Sequence, residues 1–308
     1  MRSLAAGFRA LSHGKLILLL TLTTVLLGLS AAAPLAPALW KDVGGTLAGD
    51  HFLRNHPTFA PTDFADFLRE DAGAISGASS GARFAGLTGV ALQMFFAGGI
   101  VVVLGRGRFG FAQFFEPARR NFWHNVKCFF VFAILLVVVY GTVLGGGSAA
   151  AKKLFEDVPP DAAPRTAWSW GLLGLAVLLW GVLSLLYDFA RAARRYAPTI
   201  GAWRAYGFAR RALRGSWARA LVLFLFWLLL GAAAWLGFFA VTWAMPAVSA
   251  PAIAGLLLLQ FAVIWIRSAV RVAAWGSYLE FLDHRATAAV EATVQAPRTA
   301  ATAPAPGF

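Results

Sequence analysis

Asp188 and Arg191 stand three residues apart, and Arg267 and Arg271 four apart, at the edges of long apolar runs. Ionisable groups in such places are costly in lipid, so they are the first residues to ask about chemistry. At i,i+3 on a helix the Asp188 carboxylate and the Arg191 guanidinium can pair directly. Arg267 and Arg271 share one helix face and need an anionic partner. Asp188 can supply it as an interhelical ion pair; the other readings are a headgroup or substrate site, or arginines that snorkel without a partner. Gln260, about two turns before Arg267, and Gln93 are placed for hydrogen bonds across a bundle.

A second cationic group runs from Arg191 to Arg219. Its eight arginines include Arg210, Arg211, Arg214 and Arg219, interleaved with Tyr196, Trp203, Tyr206, Phe208 and Trp217. In a soluble protein this mixture would suggest nucleic acid. Beside a bilayer each basic residue instead contributes about 1 kcal/mol of attraction to anionic headgroups, so the segment reads as a lipid-facing anchor. Docking to a membrane-protein partner is the other role it admits, and nucleic acid is not expected.

Enzymatic machinery is not apparent. No nucleophile–base pair and no cofactor motif stands out, so neither an enzyme nor a cofactor is expected. Asp50, His51 and His56 are the candidate metal ligands, and their spacing matches no recognisable site. Cys128 has no second cysteine to pair with and reads as a small packing residue.

The elements that must position these groups are membrane helices. Of the 308 residues, 59% are hydrophobic and 13% charged, against roughly 25% charged in soluble domains. The gaps Lys15–Lys41, Arg83–Arg106, Lys127–Lys152 and Arg165–Asp188 are uncharged and long enough for the ~20 residues a span requires. The longer gap Arg219–Arg267 makes two spans, turning near Met245, Pro246, Ser249 and Pro251. The expected fold is therefore all-α, a polytopic membrane helix bundle. Its spans fall at about 16–39, 84–105, 128–150, 166–188, 220–244 and 251–275. They form one membrane domain over 1–286, with an external loop at 41–83 and a disordered Ala/Thr/Pro-rich tail at 287–308. The first apolar run, preceded by Arg2, Arg9 and Lys15 and followed by Ala31–Ala33, also has the make-up of a cleavable signal peptide. Its continuation to Leu39 and Trp40 favours a retained helix.

With both termini inside, 20 of the 27 Lys and Arg fall on the inner side, and nine of the 14 Asp and Glu fall outside. The bias places both ends in the cytoplasm. Trp40, Trp168, Trp170 and Trp243 then mark outer interfaces and Trp123, Trp203, Trp217 and Trp275 inner ones, while Trp180, Trp227, Trp235 and Trp265 are packing residues.

Three amphipathic stretches lead into outward-going spans: Gly7-Phe8-Arg9 to Lys15, Phe114-Phe115-Glu116-Pro117 to Lys127, and Gly207-Phe208 to Arg219. They suggest three repeats of an elbow helix plus a transmembrane hairpin. Each elbow would lie in the inner interface, apolar side down and arginines toward phosphates. In the external loop, Thr62 is placed to cap a helix carrying Phe64, Phe67 and Leu68 on one face, and Ala72–Gly81 reads as a flexible lead into the second span. Gly141 and Gly145, and likewise Ala233 and Gly237, are small-residue pairs suited to close helix packing.

The entry Gly7-Phe8-Arg9-Ala10-Leu11, the exit Asp188-Phe189-Ala190-Arg191 and the pattern Gln260, Arg267, Arg271 resemble uncharacterised bacterial six-helix membrane proteins. Their layout is similar to the membrane domain of some glycerophosphoryl diester phosphodiesterases. The resemblance implies a fold and a membrane location. It transfers no catalytic residue, and the soluble phosphodiesterase domain has no counterpart in these residues. The functional expectation is a non-enzymatic scaffold or accessory subunit of the inner membrane whose cytoplasmic face contacts anionic lipid. The alternative is a transporter or permease component for a neutral or lipid-like substrate, a reading weakened by span interiors that carry no charge.

Overall fold

In hydrocarbon every backbone N–H and C=O must find its partner within the chain, and a helix meets that demand within one segment. The computed structural model describes residues 2–32, 72–156, 159, 162–244 and 250–285, and among them there is no strand. The helices are α1 (Arg2–Ala10), α2 (Gly14–Ala32), α3 (Ala72–Arg106), α4 (Phe111–Tyr140), α5 (Gly146–Leu154), α6 (Ala163–Ala192), α7 (Ala202–Leu213), α8 (Trp217–Ala244) and α9 (Ala250–Asp283). A π-turn over Gly141–Gly145 joins α4 to α5 without a break.

Six segments are long and apolar enough to cross a bilayer: Gly14–Ala31, Ser79–Gly105, Phe111–Leu154, Ala163–Arg195, Trp217–Trp243 and Ala254–Asp283. Their outward surfaces are what lipid requires. Val137 is 70% exposed, and Ile134, Leu229, Leu236 and Leu258 are also exposed. The chain is an all-α, multi-pass membrane protein with six transmembrane helices.

The chain divides into two compact units. The first holds Met1–Arg9, Met94–Phe226 and Ala274–Phe308, and the second holds Ala10–Gln93 and Trp227–Ala273. In the first, α4, α6 and α7 pack on one another, and Phe114, Leu185, Phe189, Phe208 and Leu213 are all essentially without exposed surface. In the second, Leu16, Thr21, Trp227 and Val272 are buried.

Several expectations change. Ala72–Gly81 is not a flexible lead, because α3 is helical from Ala72. Alanine is the strongest helix former, and propagation from the apolar run carries the helix through the weaker glycines and serines. Of the three elbows, α1 and α7 are separate short helices, whereas the middle one is continuous with α4. Pro117 lies inside that helix, where it removes one backbone donor without ending it. Trp275 is 3% exposed and belongs to the core rather than to an aromatic belt, whereas Trp123, Trp170, Trp203 and Trp243 are exposed. Gly141, Gly145 and Gly237 meet no neighbouring atom within 4 Å, so neither small-residue pair serves close packing among the described residues. The close approaches occur instead at Gly98 and Gly99 of α3, against Phe114, Pro117 and Ala118 of α4. Asp50, His51, His56, the Thr62 helix, the turn at Pro246 and the C-terminal tail lie outside the described residues.

Candidate functional site

The charged end of the first unit is built on the last turns of α3 and α6, the first half of α4, and α7. Asp188 and Arg191 sit one turn apart on α6, and the carboxylate accepts a hydrogen bond from Arg191 Nη2, as the spacing predicts. The Arg191 side chain is 5% exposed. Its guanidinium carbon lies 4.2 Å from the centre of the Tyr187 ring and 5.0 Å from that of Trp275, so two aromatic faces and one carboxylate enclose the cation. Its Nε is buried and makes no hydrogen bond among the described residues, and the same holds for Arg194 Nε.

A turn further on, Asp283 at the end of α9 receives two donors. Arg195 Nη2 donates to Oδ2 at 3.1 Å and the Tyr196 hydroxyl donates to Oδ1 at 2.6 Å. Burial, followed by that hydrogen bond, raises the Tyr196 phenol above its ordinary range, so it stays a neutral donor. Gly105 of α3 leaves room for the Arg195 guanidinium. A Cβ there would lie 2.9 Å from Arg195 Nη1.

Behind the arginines runs a buried polar stripe on α4 that sequence reading did not single out. Asn121 Nδ2 donates to Pro117 O at 3.1 Å, and Asn125 Nδ2 donates to Met94 O at 2.7 Å. His124, 3% exposed, lies 3.4 Å from Ala190 O through Nε2. The same nitrogen lies 3.5 Å from Cys128 Sγ. Tyr206 of α7 donates to Cys128 O at 2.8 Å, and burial raises its phenol as well. The recurrence of Asn121, Asn125 and Cys128 at helical spacing was the available sign.

These groups surround two adjoining cavities. The inner, of about 280 Å³, is walled by Gly98, Gly105, Asn121, Arg191, Arg194 and Arg195. The outer, of about 380 Å³, adds Gln113, Glu116 and Arg120 of α4. Asn121 and Arg194 belong to both walls and mark where the cavities meet.

The structure separates the remaining candidates. Arg204, Arg210, Arg211, Arg214 and Arg219 are exposed along α7 and the turn into α8, while Ala205, Tyr206, Phe208, Ala209, Ala212 and Leu213 are buried. The apolar side of α7 therefore packs into protein, against α4 and α6, and does not rest on lipid as the elbow reading held. Phe208 stacks on Tyr196 with centroids 5.7 Å apart, which explains why that face turns inward. In the second unit Arg267 lies over the Trp235 ring, 5.1 Å from its centre, and Arg271 is half-buried. Gln93 and Gln260 are exposed and make no hydrogen bond among the described residues, so neither serves as a cross-bundle link there.

A third hollow, of about 740 Å³, lies between α1, the start of α8 and the end of α9. Leu4, Val222 and Phe226 give it apolar walls, and Arg2, Arg219 and Arg285 are its cations. Arg285 Nη1 also donates to Arg214 O at 3.1 Å, tying the α7–α8 turn to the end of α9.

No protein-family model, no curated protein and no solved structure matches this chain.

Proposed function

We propose that the protein is a non-enzymatic scaffold or accessory subunit of a bacterial cytoplasmic membrane. Both termini are in the cytoplasm, and the arginine-bearing surface contacts anionic lipid headgroups. The exposed row Arg204, Arg210, Arg211, Arg214 and Arg219 is the observation that carries this reading. Because the apolar face of α7 is spent on the protein core, its arginines are held outward on a packed element rather than on a floating one. The hollow beside Arg219 suits the same ligand, with cations for a phosphate and apolar walls for an acyl chain.

The test is thermal unfolding of the full chain in nanodiscs of phosphatidylcholine with and without phosphatidylglycerol. Phosphatidylglycerol is expected to raise Tm in the unaltered protein. Most of that increment should vanish when Arg210, Arg211, Arg214 and Arg219 are changed to Gln, since each contributes about 1 kcal/mol near an anionic surface. Added salt should shrink the increment. Equal increments in the two proteins would remove the basis for the lipid-contact reading.

A further inference from the structure

We propose that the paired cavities between α3, α4 and α6 form a binding site for a phosphate group, with Arg194 as its principal anchor. A free phosphoester and a lipid headgroup both present this chemistry, and the probes below distinguish them. This site is separate from the exposed arginine row, and neither reading requires the other.

Two of the three cavity arginines are already committed. Arg195 is paired with Asp283, and Arg191 is held by Asp188, Tyr187 and Trp275. Arg194 forms no ion pair among the described residues, although it is half-buried and its Nε is fully covered. A buried guanidinium N–H without an acceptor is unfavourable, and here two of them, from Arg191 and Arg194, belong to side chains that wall the same cavity. Three arginines and Asn121 wall this cavity, and its lining holds no side-chain carboxylate. A lining with cations and no carboxylate suits an anion rich in oxygens, as a phosphate is. Guanidinium forks fit phosphate oxygens in the same plane, which a row of lysines would not do.

The rest of the site is preorganised. The Arg191 cation is fixed between two rings, Gly105 admits Arg195 against α3, and Gly98 lets α3 approach the α4 backbone beside Asn121. The outer cavity adds Arg120 for a second contact to the phosphate, with Glu116 and Gln113 as acceptors for a donor elsewhere on the ligand. A space of about 280 Å³ holds a phosphate group and leaves its substituent in the outer one.

Isothermal calorimetry on the full chain in a neutral detergent tests this, with inorganic phosphate and dihexanoylphosphatidic acid as probes against sodium chloride at equal ionic strength. Binding of at least one probe is expected, weakened roughly tenfold or more by Arg194→Gln and less by Arg194→Lys. Response to inorganic phosphate identifies a free phosphoester site. Response to the short-chain lipid alone identifies a headgroup site. Arg194 has no ion pair to lose, so Arg194→Gln should keep the Tm of the unliganded protein, which separates lost binding from lost folding. Absence of binding by both probes, or equal affinity in Arg194→Gln and the unaltered protein, overturns the proposal.

Discussion

Asp188→Ala is expected to lower the stability of the protein by about 3–5 kcal/mol, the usual consequence of removing one member of a buried ion pair. The reason is the environment of its partner. Arg191 is 5% exposed and has Tyr187 and Trp275 over its faces, so once the carboxylate is gone the guanidinium cannot reach water without disturbing the core. Asp188 itself is 19% exposed, which makes Arg191 the more sensitive half of the pair. Removing both charges should be much milder than removing one. Asp188→Ala combined with Arg191→Met should recover a large share of the loss, since an apolar side chain of similar length fills the space between the rings. Thermal unfolding in detergent of the two single variants and the double variant measures this. Additive losses would mean that the two residues act independently.

Gly99→Ala is expected to be the next most damaging change, by about 1–3 kcal/mol. A Cβ at that position would stand 2.6 Å from the ring of Phe114 and 2.7 Å from its carbonyl oxygen. The ring is wholly buried and the carbonyl belongs to the backbone of α4, so relief requires the two helices to separate. Gly98→Ala meets Pro117 O at 2.9 Å and should behave similarly. Gly237→Ala is the contrast. Nothing stands within 4 Å of it, and there the better helix propensity of alanine should leave Tm unchanged or slightly raised. Comparison of these variants by thermal unfolding distinguishes a packing role for glycine from a general preference for small residues in membrane helices.

The six spans were legible because charge is expelled from them, and a long uncharged run has one stable solution in lipid. The Asp188–Arg191 pair was legible because both residues lie on one helix, where spacing alone sets the geometry. What lay between helices was not. The G-x-x-x-G spacing pointed to Gly141 and Gly145, yet the tight contacts fall at Gly98, Gly99 and Gly147, because which face of a helix meets a neighbour depends on tertiary packing that one helix does not record. The amphipathic pattern of α7 announced an apolar face correctly. It could not say whether lipid or protein would cover that face, since both are equally apolar. The Arg194 site was harder still, because eight arginines in one stretch hide the two whose buried Nε lacks an acceptor, Arg191 and Arg194, and of these two Arg194 alone has no ion pair among the described residues.

The placement of the arginine-bearing surface at the cytoplasmic leaflet is tested most directly by cysteine accessibility in intact cells. Cys128 is fully buried and contributes little background, so a single reporter at Arg211→Cys can be read with a membrane-impermeant maleimide. The account predicts no labelling in intact cells and strong labelling after permeabilisation, with the opposite behaviour for Trp243→Cys at the far end of α8. Labelling of Arg211→Cys in intact cells would place the arginines outside and contradict both the orientation and the lipid contact.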